Sequence, residues 1–218
     1  MKKQIEFIKE YCKFEPYSCY VILAVARKKD NKDITGSQEV CFKEVIYKEN
    51  HIVRKYTRIY NNCKNYVNDK NEHLNFYIYI SVNPRDTKKC YWEFQKEMLS
   101  VGEELSRNVD KESQLARLDK RWLSVLMNPQ NKKGRGLFLL DIDTKDESVI
   151  AKIQRELIDN KYCTNRLAFI ETKNGFHAVY EPFNRKIFYH WLVDNNLTNV
   201  VEVKIDHLLF LDRVEVKE

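Results

Sequence analysis

The chain has 218 residues, 43% of them hydrophobic and 32% charged, with a formal net charge of +6. That length supports one domain, or one compact domain with two lobes, able to bury a substantial core, and the composition is ordinary for a soluble globular protein. No apolar run reaches the ~18 residues of a membrane-spanning helix, and charges interrupt the N-terminal MKKQIEFIKEYCKFEP, which argues against a signal peptide and for a cytoplasmic chain without a membrane partner.

In chain order, Ile5, Phe7, Ile8 and Tyr11 set a short helical pattern over 2–12. CYVILAVARK (19–28) reads as a strand bounded by the polar KDNKDITGS. Ile52, Tyr56, Ile59, Tyr60, Cys63, Tyr66 and Val67 recur at helical spacing, and NFYIYISVNPR (75–85) reads as a strand that stops at Pro84. Helices are expected over 88–107 and 111–127, the second with Leu115, Leu118, Trp122, Leu123 and Leu126 on one face. The turn-rich MNPQNKKGRG (127–136) divides an N-terminal α/β lobe, 1–130, from a C-terminal lobe, 131–218.

The C-terminal lobe opens with a strand at 137–142 and a helix at about 146–159 carrying Val149, Ile150, Ile153 and Leu157. RLAFIET (166–172) and FHAVYEP (176–182) form a hairpin turning at Lys173, Asn174 and Gly175. A helix over 184–194 with Ile187, Phe188 and Trp191 and the strand NVVEVKID (199–206) complete the order β-α-β-β-α-β. That is the ferredoxin-like or RRM-like arrangement, so the fold class is α+β.

Six cysteines (Cys12, Cys19, Cys41, Cys63, Cys90 and Cys163) contain no C-x-x-C pair, which favours small core residues over zinc ligands. The mild positive charge permits a polyanionic partner without requiring one.

The informative stretch is LFLLDID (137–143), an apolar strand ending in two carboxylates. Asp141 and Asp143 are two residues apart and project from one side of an extended chain. Side by side they repel, and their desolvation is costly unless a cation lies between them. Hard divalent ions such as Mg2+ or Mn2+ prefer such oxygen ligands. Asp206, ending the last strand, offers a third carboxylate, and three carboxylates holding two metals about 4 Å apart support in-line phosphoryl transfer. Against this, an Asp-x-Asp at a strand end also caps a following helix, and a lone histidine such as His177 is commonly a core residue.

LFLLDID, ETKNGFHAVY and VVEVKID, taken together, resemble the three motifs of the archaeo-eukaryotic primase superfamily. Those motifs are a hydrophobic strand ending in Asp-x-Asp or Asp-x-Glu, a small hydroxyl residue with a glycine and then a histidine on a hairpin, and a hydrophobic strand ending in Asp. Thr172, Gly175 and His177 match the second and Asp206 the third, with 34 residues from Asp143 to His177 and 29 more to Asp206. The resemblance covers 137 to about 207 and implies a primase-polymerase-like core, the active site lying between an RRM-like catalytic lobe and the N-terminal lobe. It further implies a DNA primase or polymerase, a nucleotidyltransferase acting with nucleoside triphosphates on a single-stranded DNA or RNA template. A helicase or other replication protein is an expected partner, and a mobile element or virus the expected setting. Asp141, Asp143 and Asp206 would hold a two-metal site, with His177 on the triphosphate. Lys173 is a helper on the same turn, and Gly175 suits a tight turn near phosphate. Arg85, Lys88 and Lys89, at a strand end and helix start, are candidates for phosphate or template backbone.

The competing reading is a non-catalytic RRM-like module that binds single-stranded nucleic acid. LFLLDI and NGFHAVY occupy the positions of its aromatic strand motifs, yet carry Leu, His and Val where stacking rings are needed. A degenerate primase fold acting as a partner protein is the third reading.

Overall fold

The computed structural model describes residues 1–31, 40–107, 118–134, 136–159 and 165–215. Among the described residues two antiparallel sheets and six α-helices form a mixed α+β fold. The first sheet runs β2 (Val40–Ile46), β1 (Ser18–Ala26), β3 (Phe76–Ser81), β9 (Leu208–Val214), with the short β4 (Arg85–Asp86) pairing the start of β1. β1 is central because SCYVILAVA is apolar on both sides. Its Tyr20, Ile22, Ala24 and Ala26 share a core with Ile8 of α1 (Lys2–Tyr11) and with Ile52, Tyr56, Ile59 and Cys63 of α2 (Ile52–Asn65). Cys19 and Val21, on the other face, pack with Cys90 of α3 (Thr87–Arg107) and with Val125 and Leu126 of α4 (Leu118–Met127).

The second sheet runs β6 (Arg166–Glu171), β7 (Phe176–Tyr180), β5 (Phe138–Ile142), β8 (Val201–Ile205), every pair antiparallel. Leu140, Ile142, Ala178, Tyr180 and Val201 on one face form a core with α5 (Glu147–Asp159) and α6 (Arg185–Asp194). Leu139 and Val179 on the other face join the core of the first sheet. The alternation along β5 therefore turns Leu139 and Asp141 toward the first sheet, and Leu140 and Ile142 away from it.

Three expectations change. β2 and β9 are strands that periodicity missed. β9 returns from the second sheet to pair with β3, so the boundary at 130/131 does not separate the two sheets. The helix expected over 111–127 is seen as α4, and its residues 111–117, Leu115 among them, lie outside the described residues. Of the cysteines, Cys12, Cys19, Cys63 and Cys90 are buried as expected, whereas Cys41 on the edge strand β2 is exposed and Cys163 lies outside the described residues. No helix among the described residues is long and apolar enough to cross a membrane.

Candidate functional site

A cleft of about 470 Å³ opens between the sheets. Arg27, Lys29, Asp30, Tyr77, Tyr79 and Phe210 line it from the first sheet's side, and Asp141, Asp143, Thr172, Lys173, Asn174, His177 and Lys204 from the second's.

Asp141 sits opposite His177 on β7 and opposite Glu202 on β8, with Lys204 its diagonal neighbour. Its Oδ2 accepts a hydrogen bond from Lys204 Nζ at 2.6 Å, and its Oδ1 lies 3.3 Å from His177 Nε2. The Phe210 N–H donates to His177 Nδ1 at 3.1 Å. The neutral ring must then carry its proton on Nε2, aimed at Asp141. The His177 hydrogen bond, reinforced by Lys204, outweighs burial and holds the Asp141 carboxyl well below the usual carboxylate range. Burial works against the Lys204 ammonium, yet the hydrogen bonds and charges of Asp141 and Glu202 prevail and raise its pKa. Asp143, just past the end of β5, is exposed. Its N–H donates to the Val200 carbonyl at 2.8 Å, and its carboxylate has no side-chain partner among the described residues.

The hairpin after β6 is closed by two bonds. Thr172 N–H donates to the Gly175 carbonyl at 2.8 Å, and Gly175 N–H donates to Thr172 Oγ1 at 3.2 Å. A Cβ on Gly175 would collide with the Ile142 carbonyl oxygen, so the turn is pressed against the end of β5. The glycine therefore answers a close approach of two backbones. Lys173 at the tip reaches across the cleft, its Nζ 3.4 Å from Asp30 Oδ1. Asp30 also takes Arg27 Nε at 2.9 Å and the Tyr77 hydroxyl at 3.2 Å. Burial would raise the Asp30 pKa, but Arg27, Tyr77 and Lys173 together lower it.

Asp206 does not join Asp141 and Asp143. Strand alternation from Glu202 and Lys204 would carry it to the cleft face, but Asp206 adopts a left-handed φ of 57° that turns the chain into β9. Its carboxylate is buried, with Oδ2 2.5 Å from Arg85 Nη1 and Oδ1 3.1 Å from Asn83 Nδ2. This also corrects the assignment of Arg85 to phosphate, because its side chain is 1% exposed and committed to Asp206. Lys88 lies outside the cleft lining, with its Nζ 6.0 Å from the centre of the exposed Tyr17 ring, and Lys89 donates to the Gln130 carbonyl.

Asp206 thus stands apart from the Asp141–Asp143 pair. No group of three or more metal-ligating side chains converges among the described residues, and the third carboxylate is held by Arg85. Asp141 and Asp143 suit one hard divalent cation, Asp143 through an open carboxylate and Asp141 on exchanging Lys204 for the ion.

Sequence reasoning missed Arg27, Lys29, Asp30, Tyr77, Tyr79, Lys204 and Phe210. Lys204 carried a usable signal, since alternation along VVEVKID puts it on the face where the sequence expects Asp206. The others share the cleft through sheet order, which no local pattern reports. No family model matches the chain, and comparison with curated proteins and with solved structures finds no match either.

Proposed function

We propose that the chain is a metal-dependent nucleotidyltransferase resembling primase-polymerases, joining nucleotides on a single-stranded template. The observation that carries this reading is the cleft. It gathers the Asp141–Asp143 strand end, the Thr172–His177 hairpin and the cations of Arg27, Lys29, Lys173 and Lys204 around a volume suited to a small ligand. The β-α-β-β-α-β order, with β5 between β7 and β8, supports the finer reading of an RRM-like catalytic half in a primase-polymerase-like fold.

In such a transfer the strand's 3′-hydroxyl oxygen bonds to the α-phosphorus and passes its proton to solvent water. The bond from that phosphorus to the bridging oxygen breaks, releasing pyrophosphate. Lys173, Lys29 and Arg27 offer positive charge to the triphosphate at the cleft mouth. His177, clamped by the Phe210 N–H, fixes the orientation of Asp141. Asp141 and Asp143 would hold one magnesium or manganese ion, which supplies Lewis-acid stabilisation of charge on the phosphate oxygens when bound.

The Arg85–Asp206 and Lys204–Asp141 pairs favour a second reading, a primase-fold protein that binds single-stranded nucleic acid without catalysis. Incubation with labelled nucleotides, single-stranded template and manganese, with and without primer, separates the two. The enzyme reading expects incorporation that Asp143→Ala abolishes, and triphosphate affinity that rises with manganese. Metal-independent RNA binding with no detectable triphosphate binding would leave only the binding module.

A further inference from the structure

We propose that Phe210, packed edge-to-face with Tyr79, offers the ring on which the base of a nucleoside triphosphate stacks while the cations of the same cleft take its phosphates. This rests on the nucleotide reading above and adds the part of the ligand that the first sheet recognises.

Tyr79 on β3 and Phe210 on β9 are register partners, with ring centroids 5.9 Å apart at 68°. Both residues are only partly buried, and both line the cleft. Tyr77, the next residue on that face, differs. Arg27 lies 4.4 Å and Arg213 5.5 Å from its ring centre, its hydroxyl is held by Asp30, and the residue is 3% exposed. One aromatic is therefore covered by the protein's own guanidinium groups, while its two neighbours stay partly exposed in a cleft otherwise lined by charged and polar groups. Leaving aromatic surface in water is unfavourable, and a flat partner with an apolar face covers it best. A nucleobase has that shape, and its phosphates complement Lys173, Lys204 and Lys29 in the same cleft. The two halves are also joined rigidly, because the Phe210 N–H holds His177, which in turn faces Asp141. Stacking uses the π-face common to every base, so the ring accepts all four alike.

The test uses the full chain with manganese at matched ionic strength. Calorimetry measures binding of ATP, inorganic tripolyphosphate and a single-stranded oligonucleotide to wild type, Phe210→Leu and Phe210→Trp. Phe210→Leu keeps apolar bulk against Tyr79 while removing the π-face. It is expected to weaken ATP about tenfold, the scale of one lost base stack, and to leave tripolyphosphate unchanged. Phe210→Trp is expected to retain ATP affinity, with its indole fluorescence quenched by ATP. Equal ATP affinity in wild type and Phe210→Leu overturns the proposal, as does an equal loss for ATP and tripolyphosphate. Loss of oligonucleotide binding alone overturns it too, assigning the ring to the template. A wild type that binds neither ATP nor tripolyphosphate refutes the nucleotide reading itself, and the stacking ring with it.

Discussion

Asp206→Asn separates a structural carboxylate from a metal ligand. The substitution keeps the side chain's shape, and asparagine tolerates the left-handed backbone at this position. It removes one charge from a pair in which Arg85 is 1% and Asp206 0% exposed at the side chain. Among the described residues Arg85 Nε has no hydrogen-bond partner, so little else there offsets the stranded guanidinium. Breaking a buried pair from one side costs about 3–5 kcal/mol, and the remaining amide oxygen places this change near the lower end. At roughly 2–4 °C per kcal/mol for a chain of this size, Tm should fall by about 6–12 °C. Thermal unfolding in chelator measures it, with Asp143→Asn as the control that should melt level with wild type. Adding Arg85→Met to Asp206→Asn should recover most of the loss, because no buried charge then remains unpaired. Were Asp206 a metal ligand, its removal would relieve carboxylate repulsion and leave the metal-free Tm level or raised. That result would refute the ion-pair argument.

Gly175→Ala should destabilise the protein by about 1–3 kcal/mol, since overpacking forces a backbone shift against the Ile142 carbonyl. Denaturant unfolding checks this, and an unchanged midpoint would mean that the hairpin does not press on β5. Acid stability provides a second check on Asp141. Its folded pKa is depressed by His177 and Lys204, so its contribution is complete above the ordinary aspartate value of about 3.9 and is lost as pH falls below that value. Asp141→Asn should flatten the Tm profile below about pH 4, and a profile as steep as that of wild type would count against the pairing.

The local sequence determined what depends on neighbours in the chain. LFLLDID alternates so that Asp141 and Asp143 share a side, and β5 confirms that Leu139 and Asp141 turn toward the first sheet. The spacing of Thr172 and Gly175 determined the hairpin, and apolar periods determined α2, α5 and α6. Tertiary structure decided the rest. Arg85 looks like a surface cation after Pro84, but its burial depends on a carboxylate 121 residues away. Asp206 would face the cleft by alternation, and a single left-handed residue reverses that as the chain crosses back to form β9. The same crossing brings Phe210 beside Tyr79 and clamps His177, so the aromatic side of the cleft exists only once the two sheets meet. Alternation predicts a side chain's face while a strand stays regular. Which faces meet, and where the regularity breaks, is settled by contacts between residues far apart in the chain.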